Sequence, residues 1–67
     1  MKVSYKKLWK LMIDNHLKKK DIKEKAEISY STMQKLNNDE CVNLSTLVKI
    51  CEVLNCDIGD VVEIVEE

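Results

Sequence analysis

Apolar residues recur along the chain at intervals of three and four, the spacing that gathers them on one face of an α-helix. The first such segment extends from Tyr5 to His16, with Trp9 and Ile13 beside the stripe. Its inward positions are Leu8, Leu11, Met12 and Leu17. Ser4 precedes the segment and is suited to cap it, because a serine hydroxyl accepts a hydrogen bond from a first-turn amide. The pattern predicts an amphipathic first helix.

Two shorter segments follow the first helix. Residues Lys19 to Lys25 predict a second helix, with Ile22 and Ala26 pointing inward. After a short turn, Ser29 is placed to cap a third helix. The inward residues of that helix are Met33 and Leu36. It is expected to stop at three turn-forming residues, Asn37, Asn38 and Asp39.

A fourth helix is predicted between Asn43, which is suited to cap it, and Asn55, which is suited to end it. Its apolar stripe comprises Leu44, Leu47, Val48, Cys51 and Leu54, with Ile50 adjoining.

The chain ends in a short turn and a strand. Asp57 is suited to cap a turn from Ile58 to Val62, and the β-branched segment Val61 to Val65 predicts an edge strand. A lone strand leaves its amides unpaired, so a partner is needed. The expected partner is Met1 to Ser4, in the same chain or in a second copy.

Composition favours one small helical domain covering residues 1–67. A single Gly and no Pro argue against an all-β fold. No apolar run approaches the roughly 20 residues that cross a bilayer. The three cysteines, Cys41, Cys51 and Cys56, form no Cys-x-x-Cys pair of the zinc or thiol-redox type. We therefore expect a cytoplasmic protein with reduced thiols, no metal and no cofactor, in which Cys41 is the most exposed thiol.

The charges are divided between the two halves of the chain. Residues 1–36 hold ten lysines and four acidic residues, a balance of +6. Residues 37–67 hold Lys49 and eight acidic residues, a balance of −7. A polyanion is therefore expected to dock on the N-terminal half, although the net charge is close to zero.

The second and third predicted helices, residues 19–36 with the sequence KKDIKEKAEISYSTMQKL, are joined by about three residues. Two short helices joined in this way cross steeply and leave the start of the second free to enter a major groove. Four polar residues of the second of these helices are expected to point outward: Tyr30, Ser31, Gln34 and Lys35.

This segment resembles the helix-turn-helix motif of the Cro and repressor family, also called XRE-like regulators. Residues 8–12, LWKLM, and residues 47–60, LVKICEVLNCDIGD, resemble the helices that flank the motif. The resemblance covers nearly the whole chain. It implies an all-α, five-helix, lambda-repressor-like bundle, with the terminal strand pair as a possible addition, and it implies a transcriptional regulator that binds double-stranded DNA with a recognition helix at about residues 29–37.

The resemblance also assigns roles to individual residues. By position, Lys19 and Ser29 fall where family members approach phosphate, with Lys18 and Lys20 extending the basic run. Tyr30, Ser31 and Lys35 fall where family members reach base edges, with Gln34 as a flanking candidate. Asn38 falls near the backbone at the far end of the recognition helix.

Two features depart from the family pattern. Glu27 occupies the turn position that usually holds Gly, where a left-handed backbone would cost ~1 kcal/mol. The chain also lacks Arg, the best bidentate reader of guanine.

No nucleophile lies beside a plausible base and no Gly-rich phosphate loop is present, so the chain is not expected to be an enzyme. Paired half-sites multiply the limited affinity of one recognition helix, and a homodimer is therefore expected. Candidate dimer contacts are Val61, Val62, Ile64 and Val65. Two alternatives stay open: a protein-interaction module, antitoxin-like or regulatory, and a small metal-binding module.

Overall fold

A computed structural model describes residues 1–66, so Glu67, at the end of the expected domain and of its acidic half, lies outside the described residues. The described chain begins with strand β1 (Lys2–Ser4) and helix α1 (Lys6–Asp14). It continues through α2 (Lys19–Lys25), α3 (Tyr30–Asn37) and α4 (Leu44–Leu54). It ends in a 3₁₀ turn (Ile58–Asp60) and strand β2 (Glu63–Val65). None of the helices in this part of the chain is long and apolar enough to cross a membrane.

The expected count of five helices is wrong, because residues 1–66 form four α-helices and one short 3₁₀ turn. Asp57 caps this turn as the sequence predicts, its side chain accepting a hydrogen bond from the Ile58 amide at 2.8 Å. The turn is followed by Val61 and Val62, whose β-branched side chains disfavour a longer helix, and β2 then begins at Glu63.

The two strands pair with each other within the chain. β1 and β2 are antiparallel, and Val3 lies directly opposite Ile64. The expected pairing of the chain termini is therefore present in its intramolecular form. Strand β2 is shorter than predicted, because Val61 caps the 3₁₀ turn with a helical backbone (φ −117°, ψ −22°) and the strand begins only at Glu63.

Each of the four α-helices is followed or capped at its end by a residue with positive φ that is not glycine. These residues are His16, Glu27, Asp39 and Asn55. A left-handed residue lets the next amide reach back to a free carbonyl of the last helical turn. The amides of Leu17, Ile28, Glu40 and Cys56 make this bond, to Met12, Lys23, Lys35 and Cys51. The helices thus end abruptly, although the only Gly, Gly59, lies elsewhere.

One core joins all the helices. The predicted inward residues of α2 and α3 are buried, and so are Leu8 and Met12 of α1. Ile13, which lies beside the α1 stripe, is 72% exposed. Two expectations are wrong on the apolar stripe of α4. Leu44, predicted to point inward, is 63% exposed. Val48, also predicted to be inward, is exposed as well.

Tyr5 is the anchor that sequence reasoning missed. It is buried, its hydroxyl donates to the Glu40 carbonyl oxygen at 2.7 Å, and its amide donates to Asp39 Oδ1 at 3.2 Å. Tyr5 stands at the N-cap position of α1, one residue later than predicted, although the Ser4 Oγ accepts a hydrogen bond from the first-turn amide of Lys6 at 3.4 Å, as expected. Ser4 belongs to β1 and is buried there. The bonds of Tyr5 fix the segment that follows α3 against the start of α1.

Candidate nucleic-acid interface

Helices α2 and α3 and the turn between them form a two-helix unit with a buried inner side. Ile22 and Ala26 line that side from α2, and Met33 and Leu36 line it from α3. Ile28, in the turn, is also buried. Since apolar contacts hold both helices and the turn, the polar side of α3 is presented on a rigid support.

Ser29 starts α3 as the sequence predicts. Its Oγ accepts a hydrogen bond from the Thr32 amide at 3.2 Å and lies 2.9 Å from Thr32 Oγ1. The Oγ of Ser31 lies 3.2 Å from the Ser29 Oγ. The cap therefore settles where the helix begins and groups three small hydroxyls at its N-terminal end, where helix amides and the dipole favour an anion.

The outer side of α3 carries Tyr30, Ser31, Gln34 and Lys35, all exposed. Tyr30 is 66% exposed despite its aromatic ring. Its hydroxyl accepts a hydrogen bond from Gln34 Nε2 at 2.5 Å, and the ammonium of Lys23 lies 5.7 Å from the centre of its ring. Tyr30 and Gln34 thus contact each other, a relationship that residue types alone did not indicate.

The lysines at the start of α2 are exposed, and their surroundings differ. The Lys18 amide donates to Asp21 Oδ2 at 2.9 Å, which fixes the first turn of α2. Lys19 Nζ donates to Asn37 Oδ1 at 2.7 Å and lies 4.4 Å from the centre of the Trp9 ring. Apart from the position of Asn37 at the end of α3, no sequence pattern indicated these two contacts.

The Lys19 contacts bring the start of α2 next to the end of α3. Asn38, the remaining site residue predicted from the sequence, is exposed and caps the C-terminus of α3. All nine predicted site residues therefore lie at the surface of α2, of α3 or of the residues that cap them. They comprise Lys18, Lys19, Lys20, Ser29, Tyr30, Ser31, Gln34, Lys35 and Asn38. Their contact with DNA stays a prediction.

The family model for the Cro/C1-type helix-turn-helix DNA-binding domain matches residues 7–67 of this chain. The chain belongs to the Cro/C1-type helix-turn-helix family. It is also similar to the crystal structure of the transcriptional regulator VanUg, with 50% sequence identity and a TM-score of 0.96. That match covers 98% of this chain and 88% of the VanUg chain. No curated protein sequence matches significantly.

As a Cro/C1-type domain, the protein is a DNA-binding domain, and α2 and α3 lie at the positions predicted for the two helices of its motif. The turn between α2 and α3 accommodates Glu27 at the position that usually holds Gly. Glu27 adopts φ of 54°, the left-handed conformation that Gly adopts most easily. The turn of this Cro/C1-type domain therefore keeps its backbone geometry at a steric cost that a glycine would avoid.

Cys41 is the exposed thiol of this Cro/C1-type domain, as expected, and Cys56 is partly buried. Cys51 is buried, and desolvation raises the pKa of its thiol. Desolvation, with smaller contributions from Cys51, Asp60 and Asp57, raises the pKa of Cys56 to about 11. Within residues 1–66, no three His, Cys, Asp or Glu side chains are grouped as metal ligands.

Proposed function

We propose that the protein regulates transcription by binding double-stranded DNA sequence-specifically, with α3 in the major groove. The observation that carries this proposal is the outer side of α3, where Tyr30, Ser31, Gln34 and Lys35 stand on a helix held by buried Met33 and Leu36. The similarity to the transcriptional regulator VanUg supports it.

In this proposal, base edges are read by Tyr30, Ser31 and Lys35, with Gln34 beside them. The Lys35 ammonium suits guanine O6 or N7, and the Gln34 amide suits an adenine edge. Phosphates are contacted by the residues that flank the recognition helix, namely Lys18, Lys19, Lys20, Ser29 and Asn38. This division follows the general rule that backbone contacts position a protein on the duplex and base contacts specify the sequence.

We also propose a homodimer, since two half-sites raise the affinity that one short helix provides. The candidate surface is the outer face of the strand pair, where Ile64 is 64% exposed beside half-buried Val3. Val61, a candidate dimer contact from the sequence, does not belong to this surface because it is fully buried. The single domain of residues 1–67, with its motif at about 19–37, and the cytoplasmic location stay predictions.

Selection of preferred duplexes from a random pool, at stated salt, tests the proposal. The affinity for a selected duplex and for a scrambled one is then measured across a salt series. We expect the selected duplex to bind more tightly at every salt concentration, and both affinities to fall linearly with salt on logarithmic axes.

A protein-interaction module predicts a different result. An apolar protein interface responds little to salt, and such a module would enrich no sequence from the pool. Failure to enrich any duplex, together with salt-independent retention of a protein partner, would replace the DNA-binding proposal by this alternative.

A further inference from the structure

Lys19 is exposed, yet its ammonium is held at two points. Asn37 Oδ1 accepts a hydrogen bond from Nζ at 2.7 Å, and the Trp9 ring lies below the same nitrogen with its centre 4.4 Å away. A free lysine on a protein surface samples many rotamers, and its ordering costs free energy when it binds a ligand. Two contacts on one ammonium reduce that cost before binding takes place.

The three residues belong to three helices. Trp9 lies on α1, Lys19 is the first residue of α2, and Asn37 is the last residue of α3. The ammonium therefore joins the supporting helix, the phosphate-binding end of α2 and the far end of the recognition helix. A phosphate held by this ammonium would also fix the position of α3 relative to the DNA backbone.

The geometry also leaves the ammonium able to bind. A lysine carries three N–H donors, of which one is directed to Asn37. The indole ring attracts the cation electrostatically and does not occupy all of its N–H donors. At least one donor thus stays available for a phosphate oxygen.

We propose that Asn37 and Trp9 are positioning residues that hold the Lys19 ammonium ready for a DNA phosphate. This inference rests on the proposed phosphate contact of Lys19. Neither positioning residue need touch DNA, and the effect of each on binding passes through Lys19. That dependence distinguishes positioning from a direct contact or from a general role in stability.

The first test needs no DNA. Trp9 is the single tryptophan of the chain, so its fluorescence reports on this site alone. We expect Lys19→Ala to shift the Trp9 emission and Asn37→Ala to shift it in the same direction by less, because the ammonium is then only partly displaced. Lys20→Ala, which removes a neighbouring exposed lysine, is the matched control and should leave the emission unchanged. Equal spectra for the Lys19 and Lys20 variants would overturn the proposed geometry.

The second test is a double-mutant cycle between Lys19 and Asn37, measured with a selected and a scrambled duplex across a salt series. Asn37→Ala should weaken binding to both duplexes about two- to ten-fold, the range for ordering one long side chain. It should not change the salt slope, because Lys19 still displaces its counterion. In the Lys19→Ala background the same change should have no effect.

Trp9 is tested by a conservative pair of variants. Trp9→Phe keeps an aromatic face under the ammonium and should retain most of the affinity, whereas Trp9→Leu removes that face and should weaken binding as Asn37→Ala does. Trp9 is half-buried, so thermal unfolding by circular dichroism must show that both variants fold. If Trp9→Leu unfolds, the Asn37 cycle decides the question, since Asn37 is exposed.

Several outcomes separate this inference from the function itself. An Asn37→Ala effect of the same size with and without Lys19 would overturn positioning and leave DNA binding intact. Tighter binding by Asn37→Ala would also overturn it, because Asn37 would then restrain the lysine from DNA. If Lys19→Ala does not change DNA binding, both the proposed phosphate contact and this inference are wrong. If the wild-type protein binds no duplex, the proposed function is wrong. Lys49→Ala, a lysine change on α4, is the charge control and should not alter binding.

Discussion

Tyr30 and Gln34 lie one turn apart on the exposed side of α3, and the Gln34 amide donates a hydrogen bond to the Tyr30 hydroxyl at 2.5 Å. Pairs at this spacing on a helix restrict each other's rotamers. One N–H of the Gln34 amide is used in the bond, which leaves its second N–H and its carbonyl oxygen for an adenine edge. The two residues are therefore expected to act as one unit in sequence recognition.

Tyr30→Phe tests this coupling, because it removes the hydroxyl and keeps the ring. We expect affinity for the selected duplex to fall by about 0.5 to 1.5 kcal/mol, the net value of one hydrogen bond. In a Gln34→Ala background the same change should have little effect, as measured by fluorescence anisotropy of a labelled duplex. Losses that simply add would show that the two side chains act independently.

Lys35 and Lys19 are expected to affect binding in different ways. Lys35→Ala should lose about 1 to 3 kcal/mol on the selected duplex and much less on a scrambled one, because it removes a base contact. Lys19→Ala should weaken binding to both duplexes alike and reduce the salt slope by about 1. Equal losses on the two duplexes for both variants would contradict this division of roles.

Glu27 is expected to cost stability through its backbone. Its φ of 54° is left-handed, and Gly tolerates that conformation without a Cβ clash. The left-handed backbone costs about 1 kcal/mol, and the greater flexibility of an unfolded glycine offsets about half of that, so Glu27→Gly should stabilise the fold by about 0.5 kcal/mol in urea unfolding.

A glycine at a right-handed position is the control for this change. Glu24→Gly, within α2, should destabilise by about 1 kcal/mol, because it adds chain entropy and relieves no strain. A loss of stability from Glu27→Gly would show that the Glu27 side chain contributes more than its backbone costs.

The partly buried Cys56 thiol predicts that stability depends on pH. The pKa of Cys56 is raised from its ordinary value of 9.0 to about 11, mainly by desolvation. The thiolate is thus disfavoured in the folded state, so stability from this group is complete below pH 9 and is lost as the pH rises through about 11. Chemical unfolding between these pH values should show a smaller decline for Cys56→Ala than for wild type, and an equal decline for the two proteins would contradict this prediction.

Ile64 tests the proposed dimer. Its side chain is 64% exposed on the strand pair, so Ile64→Lys should fold normally and convert a dimer to a monomer, as measured by light scattering. Leu44→Lys, which replaces a similarly exposed apolar residue on α4, should leave the mass unchanged. A monomeric wild-type protein at the concentrations that bind DNA would contradict the dimer.

The helices of the motif could be predicted closely, because their apolar spacing is regular and their caps are local. The bounds of α2 agree with the prediction, and Ser29 caps α3 as expected. The ends of α1 and the fifth helix could not be predicted as well. Ser4 was available as a cap by residue type, but its pairing in β1 and the burial of Tyr5 moved the start of α1.

The order of residues by itself determined the helical segments, the family and the exposed polar side of α3, since each depends on neighbours a few positions apart. Only the tertiary structure decided which of the lysines is held in place. Trp9, Lys19 and Asn37 are remote in sequence, and packing of three helices brings them to one ammonium. Such a contact depends on how the helices are arranged around a shared core, and no local pattern of residue types encodes that arrangement.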